Sequence, residues 1–172
     1  MSLQFYKPNA RTSGTAASFS FKSTGDKKGV FIEMIKQTGW DNSAKKGSFK
    51  GGQKVLVKLS MEEVAAFINV LSSNKGLEKD LYHKSSNGVA IIQFNPYFHK
   101  LSEEQIGFSL AIKKTESENG ESKNLNFLIG LTKSEGTLFK EWLKFSLERI
   151  FTGIYSEDKK AAKEYFDQKN NS

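Results

Sequence analysis

The sequence predicts an α+β fold of two antiparallel four-stranded sheets and two helices, laid out as a β-β-β-β-α unit used twice. Three observations carry that prediction. Residues 54–71, KVLVKLSMEEVAAFINVL, recur without a gap 72 positions later as NFLIGLTKSEGTLFKEWL; Leu56, Leu59, Glu63, Phe67 and Leu71 meet identical residues at Leu128, Leu131, Glu135, Phe139 and Leu143. Both copies pass from an apolar strand into a helix through one device. Ser60 with Glu63, and Thr132 with Glu135, stand at the spacing of a capping box, where hydroxyl and carboxylate each satisfy an amide left unpaired at the helix start. Upstream, Gly29-Val30-Phe31-Ile32 is matched by Gly88-Val89-Ala90-Ile91 at a shift of 59, so the loops between strands must differ in length. Neither copy can bury its apolar face alone, so the two are expected to share one core.

The elements follow in order. Residues 4–7 begin a short strand that Pro8 ends, and 9–17 form a loop of small residues carrying Arg11. Residues 18–22 alternate strictly, Phe19 and Phe21 against Ser18, Ser20 and Lys22, the mark of a half-buried strand. After a turn at 23–28, residues 30–38 form a strand apolar on both faces, so its facing stays open. Residues 40–47 are a polar hairpin tip with Trp40 in it, and 48–59 are the fourth strand, bulged at Gly51-Gly52. The first helix spans 61 to about 73, with Val64, Phe67, Ile68 and Leu71 on one stripe and Asn74 or Gly76 as its stop. The second unit has strands at 80–85, 88–94, 106–115 and 124–131, a polar loop at 116–123, and a helix from 133 to about 155. That helix is apolar over more than the ~100° stripe one core contact needs. It is expected either to be buried on several sides or to meet another subunit, with Phe139, Trp142, Phe145 and Ile150 as the oligomer interface. Residues 1–155 read as one domain, the first unit over about 4–76 and the second over about 77–155, and 156–172 as a polar tail of frayed helix or disorder.

Composition bounds the function. No stretch is long and apolar enough to span a membrane, the first residues lack a signal peptide, and the expected location is the cytoplasm of a bacterial or phage-infected cell. Without cysteine there is no thiol catalysis, disulfide scaffold or thiolate zinc site. The net charge of +7 is uneven: residues 1–60 hold eleven Lys or Arg against three acids, and the remainder 15 against 16. Such asymmetry suits a polyanionic partner, although a lysine-rich composition that only aids solubility yields the same figure. Catalytic constellations are thin. His83 and His99 are the only histidines, no phosphate-binding, nucleophile-elbow or zinc motif is present, and the paired acids Glu62-Glu63 and Glu103-Glu104 suit helix starts or loops. No enzyme, metal or cofactor is predicted.

Aromatics lie among lysines throughout the strand-rich parts, and that pattern suits single-stranded nucleic acid, whose bases stack on rings while lysines follow phosphates. Duplex DNA suits it less, since the first helix has no Lys or Arg from 61 to 74 and the second is dominated by apolar residues. The candidate binding residues are Tyr6, Lys7, Arg11, Lys22, Trp40, Lys45, Lys46, Lys50, Lys54, Tyr82 and Lys84.

Four strands, a helix, four strands and a helix, each helix entered through Leu-Ser or Leu-Thr, resembles the Whirly fold of plant single-stranded-DNA-binding proteins and the related guide-RNA-binding proteins of trypanosome mitochondria. Phe5-Tyr6-Lys7, the strand from Gly29 to Ile35 and residues 54–63 are similar to the family's first unit, and Phe108–Ile112 with Leu128–Glu135 to its second. Where the plant proteins carry Lys-Gly-Lys-Ala-Ala-Leu, this chain has Tyr6-Lys7-Pro8-Asn9-Ala10-Arg11. The resemblance implies a homotetramer with helices at its centre and sheets that present single-stranded DNA to exposed rings and lysines. The expected function is therefore sequence-independent single-stranded DNA binding in replication, recombination or repair, with RNA binding on the same scaffold, or a structural partner-binding module, as alternatives.

Overall fold

The computed structural model describes the chain apart from residues 74, 86, 87, 103, 119, 120, 171 and 172, and the side chains of 117, 118, 121 and 165–170. In chain order the elements are β1 (Ser2–Lys7), β2 (Thr15–Lys22), β3 (Gly29–Lys36), β4 (Gly39–Asp41), β5 (Lys46–Ser48), β6 (Lys54–Leu59), α1 (Met61–Ser73), β7 (Leu81–Ser85), β8 (Gly88–Phe98), β9 (Gln105–Glu118), β10 (Glu121–Thr132) and α2 (Lys133–Asn170). One four-stranded sheet has the order β1-β2-β3-β6 and the other β10-β9-β8-β7. Every pairing in them is antiparallel.

Besides the polar loop expected over 116–123, which narrows because β9 runs to Glu118 and β10 starts at Glu121, four expectations change. A third sheet exists, the two-stranded β4-β5 hairpin, which the count of two omitted. Its presence explains the second change: the predicted fourth strand over 48–59 is broken, and Gly51-Gly52 is a turn and not a bulge. Gly51 takes φ 72°, which only a residue without Cβ adopts freely, and the Gly52 amide donates to the Phe49 carbonyl at 3.2 Å, so β6 starts at Lys54. Third, the upstream match at a shift of 59 is accidental, because it lays β3, third in its sheet's chain order, on β8, second in its own. Fourth, α2 runs on to Asn170, past the end expected near 155. Its continuation is tied down where Glu157 takes the Lys28 ammonium at 2.5 Å and the Gly25 amide at 2.7 Å, both from the β2–β3 turn. Of the two residues expected to stop α1, Asn74 lies outside the described residues, and α1 ends at Ser73 before Gly76.

Alternation sorts the strands into faces. In β6, Val55, Val57 and Leu59 are buried and Lys54, Leu56 and Lys58 exposed. In β3 the facing left open resolves with Val30, Ile32 and Met34 fully buried. The inner faces of both large sheets meet α1 and α2 in a single core that includes Phe5, Phe19, Phe67, Phe94, Phe127 and Leu143. Phe139 is its hub, with ring centroids of Phe5, Phe19, Phe67, Phe94 and Trp142 at 4.3–6.4 Å. Each such buried side chain contributes about 1.5–3 kcal/mol by leaving water.

This packing takes Phe139, Trp142 and Ile150 out of the expected oligomer interface. Phe139, Trp142 and Ile150 are all buried within the chain's own core, and Phe145 is half-buried between Phe21 and the Arg149 guanidinium. Much of the apolar breadth of α2 is covered within one chain, because the helix packs against α1 and against strands of both sheets. Among the described residues the large apolar side chains it exposes are Leu138, Phe151 and Tyr155.

Candidate nucleic-acid interface

Both capping boxes form with the same geometry. The Ser60 amide donates to Glu63 Oε2 at 2.8 Å and the Glu63 amide to Ser60 Oγ at 3.2 Å; the Thr132 amide donates to Glu135 Oε2 at 2.8 Å and the Glu135 amide to Thr132 Oγ1 at 3.2 Å. Each carboxylate has a further partner on the first strand of the other unit. Lys7 of β1 donates to both Glu135 oxygens at 2.5 and 2.7 Å, and His83 Nε2 of β7 lies 2.8 Å from Glu63 Oε1. Phe5-Tyr6-Lys7 and Leu81-Tyr82-His83 are therefore counterparts, with the tyrosine outward and its neighbour turned in to clasp the opposite helix start. Burial pushes the Glu135 carboxyl up, but hydrogen bonds from Lys7 and from the Thr132 amide and hydroxyl, with the Lys7 charge, outweigh it and hold the group below the usual carboxylate range.

The candidate residues divide by place. At one end of the first sheet, register sets Tyr6, Ala16, Ile35 and Lys54 side by side across the outer face. Tyr6 is 59% exposed and meets the Phe49 ring edge-on at 6.1 Å. The same end carries the two loops that hold the other candidates, Arg11 between β1 and β2, and Trp40, Lys45, Lys46 and Lys50 on and beside the β4-β5 hairpin. Arg11 and these lysines are exposed, Trp40 is half-buried, and no ion pair among the described residues engages any of the five cations at this end. The hairpin tip is built by Asp41, whose Oδ1 accepts the Ser43 hydroxyl at 2.6 Å and the Ser43 and Ala44 amides at 2.8 and 3.0 Å; these bonds, the hydroxyl first, hold its pKa down.

Four candidates are not part of this cluster, Lys7 because it turns away from the same end and the other three because they stand elsewhere. Lys7 is committed to Glu135. Lys22 stands at the opposite end of the first sheet, 6.0 Å over the Phe31 ring. Tyr82, 63% exposed, and Lys84 are on β7, the edge of the second sheet. The corner includes two residues outside the candidate list. Phe49 had the cue of Lys50 and two glycines beside it, whereas Gln37, buried beneath both loops, had none. Among the described residues no group of three or more His, Asp or Glu lies together to hold a metal, and no helix is long and apolar enough to cross a membrane.

No protein-family profile matches the chain, and no curated protein matches it in sequence. Solved structures do. WHY3 from Arabidopsis thaliana superposes with a TM-score of 0.62 at 13% identity, over 94% of this chain and 95% of that one. The plant transcriptional regulator PBF-2 gives 0.61 at 13% identity, over 92% and 86%. A guide-RNA-binding protein complex bound to a gRNA gives 0.58 at 16% identity, over 86% and 89%. The first two are Whirly proteins, and the chain has a Whirly-like fold.

Proposed function

We propose that this chain, with its Whirly-like fold, is a non-enzymatic protein that binds single-stranded DNA largely without regard to sequence, serving replication, recombination or repair. One observation carries the reading: Tyr6, Phe49 and Trp40 share one end of the first sheet with Arg11, Lys45, Lys46, Lys50 and Lys54, cations that no carboxylate among the described residues neutralises. Unpaired bases stack on such rings at about 1–3 kcal/mol each, and each phosphate met by a free cation releases condensed counterions. A duplex offers neither exposed base faces nor a groove that α1 could enter, since α1 has no Lys or Arg. The fold alone assigns no ligand, and the cluster of rings and unpaired cations is what supports this reading.

RNA is the second reading, favoured by the likeness to a guide-RNA-binding protein complex bound to a gRNA. A homo-oligomer, a tetramer foremost, belongs to the same proposal. It is supported by the exposed Leu138, Phe151 and Tyr155 of α2, in place of the core residues first assigned to it. The test is equilibrium binding of oligo-dT, an RNA oligonucleotide of equal length and a duplex, each across a salt series. Binding of oligo-dT that weakens steeply with salt and exceeds duplex binding is the expected result. Tighter RNA binding favours the second reading through contacts to 2′-hydroxyls; salt-insensitive or absent binding to all three overturns both.

A further inference from the structure

Gln37 follows the last residue of β3 and is 6% exposed, and its side-chain amide is fully used. Oε1 accepts the Asn9 amide at 2.9 Å and the Gly14 amide at 3.2 Å, and Nε2 donates to the Asn9 carbonyl at 2.9 Å and the Gly39 carbonyl at 2.8 Å. A primary amide offers two donors and two acceptor lone pairs, and here four bonds meet them. They join three segments: the loop that carries Arg11, the end of β3, and the β4-β5 hairpin that carries Trp40, Lys45 and Lys46. Packing closes over the same point, since a Cβ on Gly47 would stand 2.5 Å from Pro8 Cβ and 3.2 Å from Gln37 Nε2, so the hairpin lies directly on the loop.

Both loops hold unfavourable backbone. Thr12 at φ 54° and Lys45 at φ 50° are the non-glycine residues with positive φ among the described residues, one in each loop that Gln37 joins. For β-branched Thr12 this conformation is costly and persists only where neighbours over-determine it. They do: Asn9 Oδ1 accepts the Arg11 amide at 3.0 Å and the Ser13 amide at 3.2 Å, and the Thr12 amide donates to the Asn9 carbonyl at 3.1 Å. Asn9 is in turn the residue that Gln37 grips by both its amide and its carbonyl.

We propose that Gln37 is the positioning residue of the nucleic-acid site, fixing the Arg11 loop against the Trp40–Lys46 hairpin so that guanidinium, indole and ammonium groups form one edge before the strand arrives. The proposal rests on the binding function argued above. A free loop would have to be ordered as it met its ligand, at an entropic cost that shows directly as lost affinity, and a buried, fully bonded amide removes that cost.

The test compares wild type with Gln37→Met, which keeps length and loses all four bonds, Asn9→Ala, which loses only the internal bonds of the loop, Arg11→Ala, and the Gln37→Met/Arg11→Ala pair. Each binds oligo-dT across a salt series, with the urea midpoint measured alongside. The expected result is a several-fold loss of affinity for Gln37→Met and for Asn9→Ala and a log-log salt slope shallower by about one. The double variant should be no weaker than Gln37→Met, because a misplaced arginine has no contact left to lose. If folded Gln37→Met keeps wild-type affinity and slope, or if the two substitutions add, the positioning role is wrong while the binding function stands. Should Gln37→Met fail to fold, Gly47→Ala decides, since its Cβ would push the hairpin off Pro8 and Gln37, and unchanged affinity and slope there overturn the proposal. Absence of wild-type binding would instead remove the function on which it rests.

Discussion

In the first half of the chain, residues 37–53 separate β3 from β6 and fold as the β4-β5 hairpin with its flanking turns; in the second half, β9 ends at Glu118 and β10 begins at Glu121. In plan the halves are otherwise alike, with four antiparallel strands, a capping box, a helix, and a clasp from the first strand to the opposite helix start, although α2 has 38 residues to the 13 of α1. The difference teaches where specialisation sits. The elements that close the core are tied to one another by shared burial and vary little in plan, whereas the β4-β5 hairpin at the end of the first sheet brings cations and a ring while contributing no residue to the core. The clasps differ too, since Lys7 with Glu135 is an ion pair at neutral pH and His83 with Glu63 is charged on both sides only when the imidazole is protonated.

The comparison can be broken first in the core. Phe67→Ala and Phe139→Ala alter repeat-matched, fully buried rings, and each is expected to lower stability by about 3–5 kcal/mol, with Phe139 the costlier because it meets five other rings. Urea unfolding checks this. The Phe139→Ala loss should not depend on protein concentration; a loss confined to dilute protein would return that residue to a subunit interface.

A smaller effect separates the halves by function. Trp40→Ala is expected to cost about 1–3 kcal/mol of oligo-dT binding and Tyr82→Ala less, read by fluorescence anisotropy. Equal losses would make the second sheet's edge part of the site. Smaller again, Ser60→Ala and Thr132→Ala should each cost about 1 kcal/mol in thermal or urea unfolding, equally, because the boxes have the same geometry.

The smallest effect is in pH. The folded state holds Glu135 below its ordinary value of 4.5, so its clasp contributes in full above that value and is lost as pH falls through the lowered one. With both side chains partly exposed the contribution is under about 1 kcal/mol. Glu135→Gln should flatten the stability curve in that acid window while costing stability at neutral pH. An unchanged acid limb would show that Lys7 contributes nothing there.

The sequence carried the plan of the fold because the plan is local. Capping boxes, strand alternation and the 72-residue shift are readable from spacing alone. It misread the length of β6, because a Gly-Gly pair fits a bulge as readily as a turn, and only the Gly51 dihedral tells them apart. It placed Phe139, Trp142 and Ile150 at a subunit contact because an apolar helix face looks the same whether sheet or subunit covers it. The site was half legible: exposed lysines in loops could be named, but that Lys7 turns inward depends on a partner 128 residues away, and that Gln37 knits two loops together depends on Asn9, 28 residues away.

The corner of the first sheet is the part of the molecule that must grip nucleic acid. Two charge-reversal variants, Lys45→Glu with Lys46→Glu at the hairpin and Lys84→Glu with Lys113→Glu on the outer side of the second sheet, titrated with labelled oligo-dT at low and moderate salt, decide it. The hairpin pair should lose about tenfold or more and flatten the salt dependence, with the second-sheet pair near wild type. Equal losses from both pairs, or a hairpin pair that binds as wild type, would contradict it.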